Sequence, residues 1–178
     1  MTRYVALLRG INLGPTRRVP MAELRAALES AGYLDVRTLV QSGNVVLSSG
    51  AGPALLERNV GRVLREAFGF DIPVVARTRD ELAEVIARDP FGDEATDPAR
   101  YQVSFLGSEP DPAGAAELET ADVAPERVAV IGREVYAWHP GGVGRSKLAT
   151  LITDRRLGTE VTARNWRTIT RLLELATP

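Results

Sequence analysis

The sequence predicts an α+β protein built as two small subdomains. The first is ferredoxin-like (β-α-β-β-α-β), and the second is a related β-α-β-β-α arrangement. Three observations predict this. Short apolar runs of strand type alternate with stretches whose apolar residues recur at helical spacing. Glycine and proline punctuate the runs at turn and helix-boundary positions. The element order of the first half then returns in the second. The boundary is placed between residues 78 and 79, giving subdomains 1–78 and 79–178, the latter ending in two helices.

Residues 3–9, with the apolar run Tyr4–Leu8 between two arginines, read as a buried strand, and breakers at Gly10, Asn12, Gly14 and Pro15 end it. Pro20 suits a helix start, and Met21, Leu24, Leu28 and Ala31 then share one helical face up to Gly32. Val36–Val40 and Val45–Ser49 flank Ser42-Gly43-Asn44 as a hairpin. Pro53 opens a helix with the stripe Leu56, Val60, Val63, Leu64 and Ala67, and Gly69 closes it. Ile72–Ala76 completes the first subdomain.

Thr78 and Glu81 have capping-box spacing ahead of Leu82, Val85 and Ile86. Tyr101–Leu106 is a strand, Asp111-Pro112 a helix start, and Val128–Ile131 and Val135–Trp138 a hairpin turning at Gly132-Arg133. The glycine-rich loop from His139 to Gly144 follows. Ser146 is placed as the cap of a helix carrying Leu148, Leu151 and Ile152, which Gly158 stops. Thr162 is placed as the cap of the last helix, with Trp166, Ile169, Leu173 and Ala176 on one face.

A chain of 178 residues can bury about 70% of its unfolded surface, enough for a core without staples. Hydrophobic residues at 44% and charged residues at 25% place it among globular proteins. Zero Cys excludes disulfides, thiolate metal sites and a Cys nucleophile, and one His excludes a two-His metal site. No metal is expected, and no cofactor is identified. No apolar run is long enough to span a membrane, and the N-terminus lacks signal-peptide character, so a cytoplasmic protein is expected. A formal net charge of −1 excludes a wholesale nucleic-acid coat or polybasic membrane anchor.

That balance hides an asymmetry. Residues 1–40 carry net +3, residues 41–139 net −8, and residues 140–178 net +4. Twenty-one of the 22 basic residues are Arg, and Lys147 is the one Lys. An ammonium is a compact point charge where a guanidinium is a planar fork, which singles Lys147 out. Helix starts carry partial positive charge and favour acids, yet this chain puts cations there repeatedly. Arg17 and Arg18 precede the helix at Pro20, Arg145 and Lys147 flank Ser146, and Arg164 follows Thr162. A bound anion would turn each placement favourable, and Gly142 and Gly144 would let backbone N–H groups approach it. The competing reading is an ordinary loop whose arginines reflect coding bias.

Other candidates have structural readings beside the functional ones. Gln41, Ser42 and Asn44 are a polar site or plain hairpin chemistry. His139 is a base or a strand-end residue, and Ser146 is a nucleophile or a helix cap. Asp89, Asp93, Glu94 and Asp97 are a Mg²⁺ site or a solvated acidic loop. Trp138 and Trp166 stack on a base or pack in the core.

Five ordered stretches, RYVALLRGINLG (3–14), RVPMAEL (18–24), VQSGNVVLSS (40–49), GVGRSKL (142–148) and LGTEVTARNWRTITRLLEL (157–175), together resemble the bacterial domain of unknown function 1697 family. The resemblance covers essentially the whole chain. It implies an α+β fold with a ferredoxin-like part and brings no activity with it. Its signature positions fall on Arg9, Gly10, Asn12, Gln41–Asn44, Arg145–Lys147 and Arg164–Trp166, and on this ground Arg9, Asn12 and Asn165 join the anion candidates. The chain departs from the family pattern at Pro15, which removes an N–H from the first loop, and at Arg17 and Arg18, where Lys is usual.

Three functions compete. The first is binding of a phosphate-containing ligand, a nucleotide or nucleic acid, at basic helix starts. The second is an enzyme acting on a phosphorylated substrate. The third is an assembly or regulatory protein with no small ligand, which requires an exposed apolar patch.

Overall fold

β1 (Thr2–Leu8) is the strand around which the first sheet forms. It pairs antiparallel with β3 (Asn44–Ser49) on one side and β4 (Val74–Thr78) on the other, and β2 (Leu34–Leu39) pairs with β3, giving the order β2-β3-β1-β4. Alternation along β1 sends Tyr4, Ala6 and Leu8 into one core. Leu24 and Leu28 of α1 (Met21–Ser30) and Leu56, Val60 and Leu64 of α2 (Pro53–Phe68) fill it from the helix side. Pro53 and the left-handed Gly69 bound α2 as expected of a proline start and a glycine stop.

The computed structural model describes all 178 residues. The chain divides into two units, Met1–Ala83 with Arg171–Pro178, and Glu84–Thr170. Neither cut falls between elements, because α3 (Arg79–Arg88) and α7 (Trp166–Ala176) each contain one. The box at the start of α3 closes as its spacing predicts: the Thr78 N–H donates to Glu81 at 2.7 Å, and the Glu81 N–H donates to the Thr78 hydroxyl at 3.1 Å.

The second sheet uses β5 (Tyr101–Leu106), β6 (Arg127–Ile131), β7 (Glu134–Trp138) and β8 (Val161–Asn165) in the order β6-β7-β5-β8. Numbered from its own first strand, this order equals that of the first sheet. Both are four-stranded and antiparallel with helical crossovers, consistent with a ferredoxin-like arrangement in each. The first crossover of the second unit is α4 (Pro112–Glu119), capped by Asp111 through the Gly114 N–H at 3.0 Å. The second crossover is broken where the first unit has continuous α2. It comprises a 3₁₀ turn (Val143–Arg145), α5 (Lys147–Leu151) and α6 (Asp154–Leu157), with Ser146 and Thr153 capping the two helices. Leu106, Leu118, Val135, Leu148 and Leu157 bury together in that unit.

Two sequence expectations change. Thr162 lies inside β8, which the sequence reading missed, so the second unit has its fourth strand. The cap of α7 is Asn165, whose side-chain oxygen accepts the Thr168 N–H at 2.9 Å. Pairing with β5 outweighs a local capping preference here. Trp166, expected on an apolar helix face, stacks on the Tyr101 ring at 4.5 Å.

Three of the four sheet edges have a backbone N–H taken by a carboxylate. Glu57 accepts from Ala76 of β4 at 2.8 Å, Glu119 from Val130 of β6 at 2.9 Å, and Asp154 from Val161 of β8 at 3.1 Å. The fourth edge, β2, breaks its register between Leu34 and Arg37, with Asp35 at φ 52°. A bulged or plugged edge is a poor template for strand addition. No helix is long and apolar enough to cross a membrane.

Candidate functional site

Most of the sequence candidates gather at two places in the fold. The first is the end of the first sheet where the β1–α1 loop meets the β2–β3 turn. Asn12 joins them. Its amide nitrogen donates to the Val19 and Gln41 carbonyls, each at 2.9 Å, and its oxygen accepts the Val19 N–H at 2.8 Å. The Asn12 N–H also donates to the Arg17 carbonyl at 3.1 Å, closing the loop. Asn12 sits at φ 54° and Arg17 at φ 53°, in the left-handed region that most side chains avoid.

This geometry reassigns Arg17. Its guanidinium donates to the carbonyls of Gly10 at 2.8 Å and Asp71 at 2.7 Å, and lies 4.6 Å from the Phe70 ring centre. It braces the loop. Arg18 is exposed beside it. Arg9 is half-buried, and its N–H donates to the Pro73 carbonyl at 3.1 Å. In the turn, the Asn44 amide donates to the Leu39 carbonyl and the Ser42 hydroxyl, each at 2.9 Å. Gly43 is forced: it has φ 87°, and a Cβ there would stand 2.7 Å from the Leu8 Cβ. Of the polar hairpin candidates, Ser42 and Asn44 therefore hold the turn, and Gln41 ties it to the loop.

The second place is the start of α5. Ser146 caps it, accepting the Ala149 N–H at 2.8 Å. The Ser146 hydroxyl donates to Glu126. The other Glu126 oxygen accepts the Leu148 N–H at 3.0 Å. His139 Nδ1 lies 2.8 Å from the same Glu126 oxygen that Ser146 reaches and 2.9 Å from the Ser146 hydroxyl. Burial alone would raise the Glu126 pKa, but hydrogen bonds from Ser146, His139 and Leu148 outweigh it and hold the carboxyl below its ordinary value. The anion that this helix start attracts is thus the chain's own Glu126.

Serine, histidine and glutamate in contact invite comparison with a nucleophile triad. In a triad the nucleophile and the acid hold opposite imidazole nitrogens. Here both sit on Nδ1, and Nε2 is buried with no hydrogen-bond partner. Ser146 is 7% exposed and His139 0%. The hydroxyl proton is committed to Glu126 and its lone pair to the helix, so the arrangement braces the broken crossover. Glu126 was not legible as a partner, since it lies 20 residues from Ser146 and carries no local motif.

The remaining candidates have separate surroundings. Gly142 takes φ 89° and donates to the His139 carbonyl at 2.8 Å. Gly144 lies in the 3₁₀ turn with open space where a Cβ would stand. Arg145 is exposed, and the Lys147 ammonium donates to the Asp122 carbonyl at 2.8 Å. Arg164 lies on β8, where burial lowers its pKa to about 10, still charged at neutral pH. Asn165 is the α7 cap. In the acidic loop, Asp89 accepts from the Tyr101 hydroxyl and the Gly92 N–H, Glu94 pairs with Arg127, and Asp97 pairs with Arg100.

A family model described as "Protein of unknown function (DUF1697)" matches residues 1–136. No curated protein matches the chain. Among solved structures, that of the conserved bacterial protein SP0830 from Streptococcus pneumoniae aligns with a TM-score of 0.80 and 22% identity, covering 99% of each chain. That likeness shows a shared fold.

Proposed function

The chain belongs to the DUF1697 family of proteins of unknown function, and on that premise we propose from its own residues that it binds a phosphate-containing ligand, a nucleotide or nucleic acid, at the start of α1. The observation that carries this reading is an uncapped helix start behind the exposed Arg18. No side chain caps α1, and Arg17 and Arg18 stand just ahead of it. Free N–H groups, helix dipole and the Arg18 guanidinium favour an anion together. Asn12 supports the reading by holding the loop in place before any ligand arrives. The starts of α5 and α7 lend less support, because Ser146, Glu126 and Asn165 already use their N–H groups. An enzyme acting on a phosphorylated substrate has less support still, since Ser146 and Glu126 both sit on Nδ1 of His139 and the Ser146 hydroxyl is committed to Glu126 and the helix start. We propose a cytoplasmic location, as the sequence leads one to expect.

The test is thermal melting with inorganic phosphate, nucleotides and short RNA and DNA. A ligand at about a hundred times its Kd adds about 2.7 kcal/mol. That is a shift of several degrees at roughly 2–4 °C per kcal/mol. Wild type and Lys147→Ala should shift, and Arg18→Ala should not. If no phosphate compound shifts wild type, the reading falls.

A specific observation favours a second reading, protein assembly. Leu13 is 85% exposed and Val40 59%, and each neighbours a partner in the Asn12–Gln41 hydrogen bond. Exposed large apolar side chains on two hydrogen-bonded loops are the kind of feature from which an interaction surface is built.

A further inference from the structure

We propose that a cavity at the start of β1 binds a small zwitterion, an amino acid or short peptide, with Arg3 taking its carboxylate and Asp80 its ammonium group. The site is separate from the α1 start and does not rest on the phosphate reading. It lies within the first unit, at the opposite end of β1 from the Asn12 loop. The cavity measures about 550 Å³, within the usual range for small-molecule sites. Arg3, Asp35, Ser48, Thr78, Arg79 and Asp80 line it. Strand pairing brings them together. Arg3 pairs with Ser48 of β3, and Tyr4 pairs with Thr78 of β4, which sets the start of α3 beside the start of β1.

The β2 bulge shapes this end of the sheet. A bulge re-aims a side chain. Here the Asp35 carboxylate, from a backbone at φ 52°, accepts from Arg3 at 3.0 Å and from the Ser48 hydroxyl at 3.4 Å. Arg3 also donates to the Ser48 hydroxyl at 3.0 Å, and both of its bonds leave from Nη1. Its Nε is buried with no hydrogen-bond partner. A buried donor of a charged group that lacks a partner is costly and calls for an explanation. The Nε–Nη2 edge of a guanidinium is a planar fork that matches a carboxylate in bidentate fashion. Arg3 is held at Nη1 alone and its side chain is 18% exposed, so a small swing about that nitrogen turns the fork to the cavity and gives Nε a ligand oxygen.

The charges of the lining decide the ligand's class. They occur as two ion pairs, Arg3 with Asp35 and Arg79 with Asp80. The phosphates of a nucleotide would meet Asp35 and Asp80 as like charges, and a plain cation would meet the two arginines. Asp80 is exposed and uses only Oδ1, on Arg79, which leaves Oδ2 open to an ammonium group. Asp35 likewise keeps Oδ1 without a hydrogen bond. A ligand with one charge of each sign matches this lining.

The experiment is NMR titration of the full chain with the free amino acids and glycyl dipeptides, following the backbone amides. Each zwitterion that binds is repeated as its N-acetyl form, which keeps only the carboxylate, and as its amide, which keeps only the ammonium group. At least one zwitterion should shift the amides of Arg3, Asp35, Ser48 and Asp80. Both blocked forms should bind about tenfold more weakly or worse, as loss of a charge-assisted hydrogen bond does. Arg3→Lys keeps the charge and loses the fork, and should weaken binding by about the same factor. Asp80→Asn alters an exposed side chain outside the sheet, so it should leave the fold intact. It should weaken the zwitterion and leave the N-acetyl form unaffected. An N-acetyl form that binds as tightly as its zwitterion would overturn the ligand class in favour of a plain carboxylate. Shifts confined to the Asn12 loop and the α1 start would overturn this site and leave the phosphate reading to its own test. No shift from any amino acid or dipeptide would overturn the proposal outright.

Discussion

Glu126 occupies the helix start that Ser146 opens: one of its oxygens receives the Ser146 hydroxyl, and the other receives the Leu148 N–H. The second unit thereby stabilises a crossover that its sequence breaks into a 3₁₀ turn and two short helices. Five- and four-residue helices have little stability of their own.

Glu126 makes the second unit acid-sensitive. Its folded-state pKa is lowered, so its contribution is full above the ordinary carboxylate range and fades as pH falls through the lowered value. Glu126→Ala strands Ser146, His139 and the Leu148 N–H, and should cost about 2–4 kcal/mol near neutral pH. Glu126→Gln should cost less and flatten the acid limb of the stability curve. Urea unfolding from pH 7 to pH 3 reads both effects. An unchanged acid limb in Glu126→Gln would contradict the assignment.

Asn12→Ala removes three side-chain hydrogen bonds and puts alanine at φ 54°. A loss of about 2–3 kcal/mol is expected from these bonds and the backbone strain together. Amide exchange at Val19 should rise with it, while exchange in the second unit should hold. Asn12→Asp keeps the acceptor for the Val19 N–H but turns a carboxylate oxygen against the Val19 and Gln41 carbonyls, and should recover little of the loss.

Gly114 admits no side chain. A Cβ there would stand 1.8 Å from the Arg156 carbonyl oxygen, which is backbone and has no flexible end to swing away. Gly114→Ala must push α4 off α6 and should cost about 3 kcal/mol or more, despite alanine's better helix propensity. Thermal melting distinguishes this from the gain of roughly 1 kcal/mol that propensity alone would give.

Val40→Asn should raise stability. It relieves a β-branched residue at φ 49° and leaves no core void, because the side chain is exposed. The expected gain is about 1 kcal/mol, seen as a higher urea midpoint with unchanged slope.

The sequence by itself determined whatever rests on residues close along the chain. The strand and helix order as far as β7 follows from periodicity, the Thr78–Glu81 box and the Asp111 cap from spacing within one turn, and Gly43 and Gly69 from turn chemistry. In each case the interacting groups lie a few residues apart, so local preference and final structure agree. The tertiary structure decided what depends on groups far apart. Arg17 looked like an anion ligand and became a brace, because carbonyls 7 and 54 residues away accept its protons. Thr162 looked like a cap and became a strand residue, because β5 pairs across it. Ser146 did become a cap, but its partners Glu126 and His139 lie 20 and 7 residues away. Hydrogen-bond geometry demands angstrom-scale placement in space, and a linear pattern does not encode such placement across long chain separations.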